Sequence, residues 1–351
     1  MSIFDLITAN EIVAYWELFL QDRKPYFGET LFPNEKQLGL KLEWLKGASG
    51  LPVVLRPSAY DVKSIPRPRI GFTKLEAQMP FFKESKTVDE ELRQQLNMVL
   101  TTGNQSYIDI IVDKIFNDEM SLLEGAAAQR ERMRMSMLTT GAISIKGNGQ
   151  AYDYDYGMPT DHKQTVTKSW SDPTATIMAD IRAAIEKIQG DTGVTVTNAV
   201  CSSKVMGYFR INNEIKGTLL ALSNGVGYLS DAKIKSYLKD ELDITINVED
   251  RRFKDEKETT QRFIADDVFC MYPDGKLGNT WFGTTPEESD LMASAVANVR
   301  ITDTGVAVTT TKKTDPVQVD TKVSMICLPD FPTADQVFVY DVIKQNDGYN
   351  L

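Results

Sequence analysis

Histidine is nearly absent from this sequence, and its scarcity excludes several kinds of catalytic and metal site. His162 is the single histidine among 351 residues. Every metal motif that needs two histidines is therefore excluded, and one residue remains as a candidate base for a catalytic triad. Its neighbours, residues 160–164, are polar and typical of a loop. We therefore expect no catalytic residue, no metal site and no cofactor.

Cysteine is also scarce. Cys201, Cys270 and Cys327 are more than fifty residues apart, and no C-x-x-C pair occurs. This spacing argues against a disulfide framework and against a structural zinc site. Each cysteine lies in an apolar stretch, such as Phe269–Met271, so we predict three buried thiols.

The sequence has no long hydrophobic run and no excess of basic residues. It contains 39 Lys and Arg against 49 Asp and Glu, a net charge of −10, which argues against a protein that coats nucleic acid broadly. No run approaches the roughly 18 to 20 apolar residues of a membrane span, and the first residues lack the pattern of a secretory signal. We expect a cytosol-like compartment and no membrane partner.

Enzyme motifs are missing as well. The phosphate loop G-x-x-x-x-G-K-[ST], the dinucleotide turn G-x-G-x-x-G and the nucleophile elbow G-x-S-x-G do not occur. Gly147-Asn148-Gly149 predicts a hairpin turn. Asp153 and Asp155 are a carboxylate pair of the kind that glycosidases use, but they alternate with tyrosines as in a half-exposed strand, which we favour.

Residues 50–80 stand out by their prolines and their basic charge. Five of the 14 prolines lie here, which favours an extended conformation and excludes a compact helical subdomain. Between residues 56 and 76 there are five basic residues against Asp61 and Glu76. The basic residues are Arg56, Lys63, Arg67, Arg69 and Lys74. This loop either docks onto an acidic surface of another copy or is an ordinary solvated loop.

The longest helical pattern extends from about residue 107 to 138, where apolar residues from Ile108 to Met137 keep helical spacing and Gly141 supplies a stop. Such a helix is about 48 Å long. Arg130, Arg132 and Arg134 lie near its end. They favour a solvated helix end, with contact to DNA as the alternative.

The other predicted elements alternate without the regular rhythm of a doubly wound sheet, which indicates an α+β fold. We predict helices over 3–20, 173–189, 203–211 and 231–242, and a helix start at 87–91. Asp172 and Pro173 supply the start of the second helix, and Gly190 its stop. We predict a hairpin over 142–156, strands over 194–201, 243–249, 262–271, 305–310, 318–328 and 336–343, and loops over 217–229 and 273–288.

Several short stretches, in order over about 300 residues, carry a resemblance to a known family. They are Pro52–Pro57, Lys74–Pro80, Trp170–Thr174, Val200–Lys204, Pro273–Gly275 with Gly283–Glu288, and Cys327–Pro332. In this order the chain resembles the lambda-type major capsid protein E family of tailed bacteriophages.

The resemblance implies the Hong Kong 97-type tailed-phage major capsid fold, an α+β fold with an N-terminal arm, an extended loop, a peripheral domain with a long spine helix, and an axial domain. By position, the arm is 1–49, the extended loop 50–82, the peripheral domain 83–170 and the axial domain 171–299. Residues 300–351 are strands shared between the two domains. Loops 217–229 and 273–288 are our candidates for the capsomer axes.

The family also implies a function. Its members have no enzymatic activity and form hexamers and pentamers that close into an icosahedral shell around double-stranded DNA. We therefore expect a virion protein, assembled in the bacterial host cytoplasm. Its partners are other copies of itself, a portal protein, a decoration protein in some phages, and weakly held DNA. Since the arm starts near Met1, we expect a separate scaffolding protein.

We further hypothesise that the basic loop residues Arg56, Lys63, Arg67, Arg69 and Lys74 lie on the long helix of a neighbouring copy, near Asp109, Asp113 and Asp118. Two other functions stay open at this point. One is an encapsulin-like nanocompartment, a shell of the same fold that encloses an enzyme. The more distant one is a β-rich carbohydrate-active enzyme that uses Asp153 and Asp155.

Overall fold

The computed structural model describes residues 8–46, 73–88, 90–91, 94, 98, 105–222, 229–292, 297–315 and 317–343. The chain forms two compact units, each assembled from three separate stretches. The first unit comprises residues 1–43, 76–134 and 279–330, and the second comprises 44–75, 135–278 and 331–351. The arm, loop and domain boundaries given above stay predictions.

The elements of the N-terminal part alternate between helix and strand. In chain order they are α1 (Ala9–Asp22), α2 (Phe27–Leu31), β1 (Asn34–Lys36), β2 (Lys41–Lys46), β3 (Thr73–Gln78), β4 (Phe81–Val88) and α3 (Gln105–Thr140). The predicted long helix is confirmed, with bounds two residues wider at each end.

The middle of the chain carries most of the remaining helices. Its elements are β5 (Ala142–Gly147), β6 (Gln150–Asp155), a 3₁₀ turn (Thr160–His162), β7 (Lys163–Thr165), α4 (Ile177–Thr192), β8 (Asn198–Cys201), α5 (Ser203–Ile211), α6 (Asn213–Leu222), α7 (Asp231–Leu242) and β9 (Thr245–Val248).

The C-terminal part is mostly strand. It comprises β10 (Arg252–Lys254), β11 (Thr260–Arg262), β12 (Val268–Tyr272), β13 (Thr280–Phe282), a π-helical turn (Glu287–Leu291), β14 (Asn298–Thr302), β15 (Val306–Thr314), β16 (Val317–Pro329), a 3₁₀ turn (Ala334–Gln336) and β17 (Phe338–Asp341). In the described part of the chain, no helix has the length and apolarity that crossing a bilayer requires.

The first unit is built around β16, its longest strand. The strand order is β1-β13-β16-β15-β14, and β4 pairs with the first part of β16. In the first part of β16 the buried residues Val319, Thr321 and Val323 alternate with half-buried ones, as the two-residue period of a strand requires, and residues 323–329 are all buried. Helix α1 packs on β14 and β15, where Ile12 and Trp16 are fully buried.

Helix α1 begins later than predicted because Thr8 caps it. The Thr8 hydroxyl accepts from the backbone N–H of Glu11, and the Glu11 carboxylate accepts from the backbone N–H of Thr8, which is a capping box. The predicted helix 3–20 is therefore wrong at its N-terminal end, because the helix begins only after Thr8. Residues 3–7 lie outside the described part of the chain. The helix continues to Asp22.

The second unit contains a mixed five-stranded sheet in the order β7-β17-β12-β8-β9, with α4, α5, α6 and α7 packed into the same hydrophobic core. Ser202 and Ser230 cap α5 and α7, whose predicted bounds of 203–211 and 231–242 are confirmed. Trp170 lies in this core against Phe209 and Phe269.

The predicted hairpin is also confirmed. Strands β5 and β6 are joined by Asn148 and Gly149, both with positive φ (50° and 75°), which is the two-residue turn that an Asn-Gly pair favours. Ile143 is buried, whereas Asp153 and Asp155 are exposed on the opposite face of the hairpin, as a half-exposed strand requires.

The prediction for α4 was wrong at both ends. The Asp172 carboxylate accepts from the backbone N–H of Thr174 and closes a turn, so the helix begins only at Ile177. It then passes through Gly190, which is tolerated inside a helix, and ends where Gly193 adopts φ +75°.

Several other predicted elements need correction. The predicted helix start at 87–91 is confirmed at Glu90 and Glu91, which are helical, but Thr87 still belongs to β4, where it pairs with Asp320 of β16. The predicted loop 273–288 contains β13, and the predicted loop 217–229 begins inside α6, which extends to Leu222. Strands β8 and β9 are shorter than predicted. The predicted strand 262–271 is divided between β11 and β12. All three predicted terminal strands occur, as β15, β16 and β17, with shifted ends.

Two glycines give a matched test of the backbone argument. Gly141 ends α3 with φ +72°, and an added Cβ would lie 2.6 Å from the Cβ of Met158, whereas one at Gly125, exposed within α3, would meet nothing within 4 Å. We expect Gly141→Ala to lower the free energy of unfolding by about 1–3 kcal/mol and Gly125→Ala to raise it by roughly 0.5–1 kcal/mol. Urea denaturation measures both free energies. Equal effects would contradict the roles of the left-handed conformation and the close contact with Met158 at Gly141.

Candidate functional site

Two of the three arginines near the end of α3 are buried, contrary to the predicted solvated helix end. Arg130 is 3% exposed and Arg134 is fully buried, whereas Arg132 is partly exposed. Residues four apart lie on the same face of a helix, so Arg130 and Arg134 share the face that is turned inward. Within the first unit both guanidinium groups are paired, and neither is presented at a surface for DNA.

Arg130 holds the turn between β14 and β15. Its Nη2 donates to Asp303 Oδ2 over 2.6 Å, and its guanidinium lies 5.6 Å from the ring centroid of Phe282. Asp303 adopts a left-handed φ of 46°, a conformation that aspartate tolerates better than most residues. Its other oxygen accepts from Trp16 Nε1 over 3.3 Å, which ties α1 to the same turn.

Arg134 holds β1 and β13. Its Nε donates to Thr280 Oγ1 over 2.9 Å, and its Nη2 donates to Asn34 Oδ1 over 2.6 Å. Glu131 lies 3.7 Å from Nη1 and accepts the backbone N–H of Gly28 over 2.8 Å. Burial lowers the pKa of Arg134, and the Glu131 carboxylate opposes that shift.

We call these residues the buried arginine cluster: Asn34, Arg130, Glu131, Arg134, Thr280 and Asp303. The cluster fastens residues of α1, α2, β1 and β13 to one stretch of α3. Removing one member of a buried ion pair is strongly destabilising because it leaves the other charge unpaired without water. The sequence showed only the spacing of the arginines, since their partners Asn34, Thr280 and Asp303 are 100 or more residues away.

Four of the eight residues predicted for subunit contacts lie outside the described part of the chain. Arg56, Lys63, Arg67 and Arg69 lie outside the described residues, Lys74 lies in β3, and Asp109 and Asp113 lie in α3. Asp118 is exposed and its Oδ1 lies 3.5 Å from Lys86 Nζ of the same chain. The contact between the loop and a neighbouring helix therefore stays a prediction.

His162 lies in the second unit and is buried, although its sequence neighbourhood predicted a polar loop. Its Nε2 lies 3.0 Å from Asp191 Oδ2, and its ring stacks on Phe338 with centroids 5.8 Å apart. This contact joins the 3₁₀ turn to α4 and β17. The ring is used for packing, which the surrounding polar residues did not reveal.

Asp161, His162 and Asp191 present atoms close enough together to hold a metal ion. However, Lys187 Nζ lies between the two carboxylates, 2.6 Å from Asp161 and 2.8 Å from Asp191. Hydrogen bonds from Lys187 lower the pKa of both carboxyls, and those carboxylates raise the pKa of Lys187. The ammonium group already supplies the positive charge that the carboxylates require.

The three cysteines are buried, as predicted. Burial raises the pKa of Cys201 and Cys327 to about 12 and also raises that of Cys270. Because the thiolate is the reactive form, these thiols are inert at neutral pH.

The buried arginine cluster makes a direct prediction about stability. Arg134→Met leaves Glu131 buried beside an apolar side chain, so we expect the free energy of unfolding to fall by about 3–5 kcal/mol. Adding Glu131→Gln should recover part of the loss. As a matched control, Arg132→Met should change stability by less than about 1 kcal/mol. Denaturant titration measures all three, and equal losses at Arg132 and Arg134 would contradict the role of burial.

The chain is similar to a family of known proteins over nearly its whole length. The model of the family described as phage major capsid protein E matches residues 8–338. No curated protein matches the chain.

Solved structures of phage proteins share this fold at low sequence identity. A prophage capsid protein from Escherichia coli is 14% identical with a TM-score of 0.61, covering 96% of this chain and 99% of that chain. The capsid asymmetric unit of cyanophage A-1(L) is 10% identical with a TM-score of 0.53, covering 92% and 93%. The mature capsid of bacteriophage PhiM1 is 10% identical with a TM-score of 0.51, covering 91% and 87%.

These likenesses show the Hong Kong 97-type α+β fold of tailed-phage major capsid proteins. Together with the family match from residue 8 to residue 338, they establish that the chain belongs to the phage major capsid protein E family and is a major capsid protein that assembles into capsid shells.

Proposed function

We propose that copies of this chain form hexamers and pentamers that close into an icosahedral shell around double-stranded DNA. The observation that carries the proposal is the match of the phage major capsid protein E family over residues 8–338. The cyanophage A-1(L) and PhiM1 structures, both described as capsid asymmetric units, support the same role.

The proposed role is structural and not catalytic. The groups that are reactive in other proteins have packing roles here: His162 is buried against Phe338, and the three thiols are buried. The carboxylate pair Asp153 and Asp155 lies exposed on a hairpin. Such a subunit requires neither a cofactor nor a metal.

Contacts between copies would use the basic loop. In this proposal Arg56, Lys63, Arg67, Arg69 and Lys74 of one copy lie against Asp109, Asp113 and Asp118 of its neighbour. Asp118 can change partners because its ion pair with Lys86 is exposed, and an exposed ion pair contributes only about 0–1 kcal/mol to stability. A neighbouring arginine with better geometry can therefore replace Lys86.

The remaining partners follow from the same proposal. A scaffolding protein, a portal protein and, in some phages, a decoration protein would bind the shell, which would assemble in the bacterial host cytoplasm. With a net charge of −10, the subunit would hold packaged DNA only weakly and without sequence preference.

Negative-stain electron microscopy of the purified chain, expressed alone and with a scaffolding protein from the same phage, tests this proposal. We expect closed uniform shells, or free rings of five and six subunits. A dispersed monomer or dimer under every condition would contradict it. Shells that co-purify with an enzyme would favour the encapsulin-like alternative instead.

Charge reversal tests the proposed contact. Arg67→Glu with Arg69→Glu should abolish or strongly reduce shell formation while the circular dichroism of the subunit is unchanged. Reversing Asp113 and Asp118 to lysine in the same chain should restore shells, because the opposite charges then face each other again. Normal shells from the first double variant would refute the contact.

A further inference from the structure

Glu119 of α3 is a carboxyl group held between a helix and a sheet with little to stabilise its charge. The residue is 1% exposed, and its Oε2 has no hydrogen-bond partner among the described residues. Burying an ionised carboxylate without full pairing is strongly unfavourable, and such a group gains by taking up a proton.

The groups that face Glu119 are few. From β16 the hydroxyl of Thr321 faces the carboxyl, and from β4 the ammonium of Lys86 does so; these two residues are direct neighbours in the sheet. Thr310 of β15 lies on the other side of Thr321 and is also buried. From α3 itself, Asp118 adds a negative charge.

Lys86 compensates the charge of Glu119 only in part. Its side chain is 39% exposed, and its Nζ lies 3.5 Å from the carboxylate of Asp118. Its charge is therefore shared with a second acid and screened by water. The buried Thr321 hydroxyl also favours the ionised carboxyl, but less strongly than burial disfavours it.

Glu131 is a second buried carboxylate on the same helix, and its partners are different. It accepts the backbone N–H of Gly28 over 2.8 Å and lies 3.7 Å from the guanidinium of Arg134. Glu119 has a lysine shared with Asp118 where Glu131 has a buried arginine. The two acids thus differ in the partner that the fold supplies.

We propose that Glu119 is a proton-dependent latch between α3 and the sheet formed by β4, β16 and β15. With the carboxyl protonated, α3 packs on the sheet as a neutral surface. Loss of the proton places an incompletely paired charge in this contact and loosens it. The latch is a property of the subunit and does not depend on the proposed arrangement of copies in the shell.

The direction of the pH effect follows from linkage. Burial raises the pKa of Glu119 to about 7, the Thr321 hydroxyl and Lys86 oppose the rise, and Asp118 adds to it. The folded subunit therefore holds a proton that the unfolded chain releases above its ordinary pKa of 4.5. The contribution of Glu119 to stability is favoured at low pH and declines as the pH rises from about 4.5 to 7.

The test is urea unfolding of the full chain between pH 5 and pH 8, comparing the wild type with Glu119→Gln, which mimics the protonated carboxyl. Relative to that variant, the unfolding constant of the wild type should rise on the order of 50- to 100-fold across this range. His162 is present in both proteins, so any contribution that it makes cancels in the comparison. Glu124→Gln, at an exposed carboxylate of the same helix, is the matched control and should keep the pH dependence of the wild type.

A measurement on the wild type alone covers the case in which Glu119→Gln folds poorly. Amide hydrogen exchange at pH 6 and pH 8, corrected for the intrinsic rate, should show protection lost at pH 8 in residues 116–127 and in β4. The second unit should keep its protection. Parallel pH curves for wild type and variant, or equal protection at the two pH values, would overturn the proposal.

Discussion

The first unit depends on burying positive charge. Arg130 and Arg134 are taken out of water on one face of α3, which is tolerated only if their partners are present at the right distances. Those partners come from distant parts of the chain, as Asn34 and Thr280 are 100 and 146 residues away from Arg134. The N-terminal segment, the long helix and the later strands must therefore come together as one cooperative structure.

This dependence suits a protein that assembles into shells. Hydrophobic contact alone is tolerant of small shifts, whereas the hydrogen bonds of a guanidinium group require a defined geometry. The cluster fixes Trp16, Gly28 and Asn34 against α3 before any neighbouring copy is involved. Nearer the start of α3, Glu119 has no comparable partners. The arginine cluster therefore fixes one part of α3 by its hydrogen bonds, whereas the contact of Glu119 with the sheet responds to protons.

Local sequence signals predicted some elements well. Helices α5 and α7 begin after serine caps, the β5–β6 hairpin has an Asn-Gly turn, and Gly141 follows the end of α3. In each case the deciding interaction joins residues within a few positions of each other. The family was also visible in the sequence, because short matching stretches occur in order along the chain.

Other features depend on residues that are far apart in the sequence. Thr87 stays in a strand because it pairs with Asp320, and β13 forms because it pairs with β1 and β16. Helical spacing shows that Arg130 and Arg134 share a face but not what that face contacts. Likewise, the polar neighbours of His162 did not reveal that Phe338 and Asp191 enclose its ring.

A double-mutant cycle between Arg130 and Asp303 is the most direct test of the central claim that paired buried charge holds the first unit together. The variants are Arg130→Met, Asp303→Asn and their combination, since asparagine also tolerates the left-handed conformation of residue 303. From the 2.6 Å contact and the burial of Arg130, we predict a coupling free energy of unfolding of about 1.5–3 kcal/mol. Additive effects of the two substitutions would contradict the account.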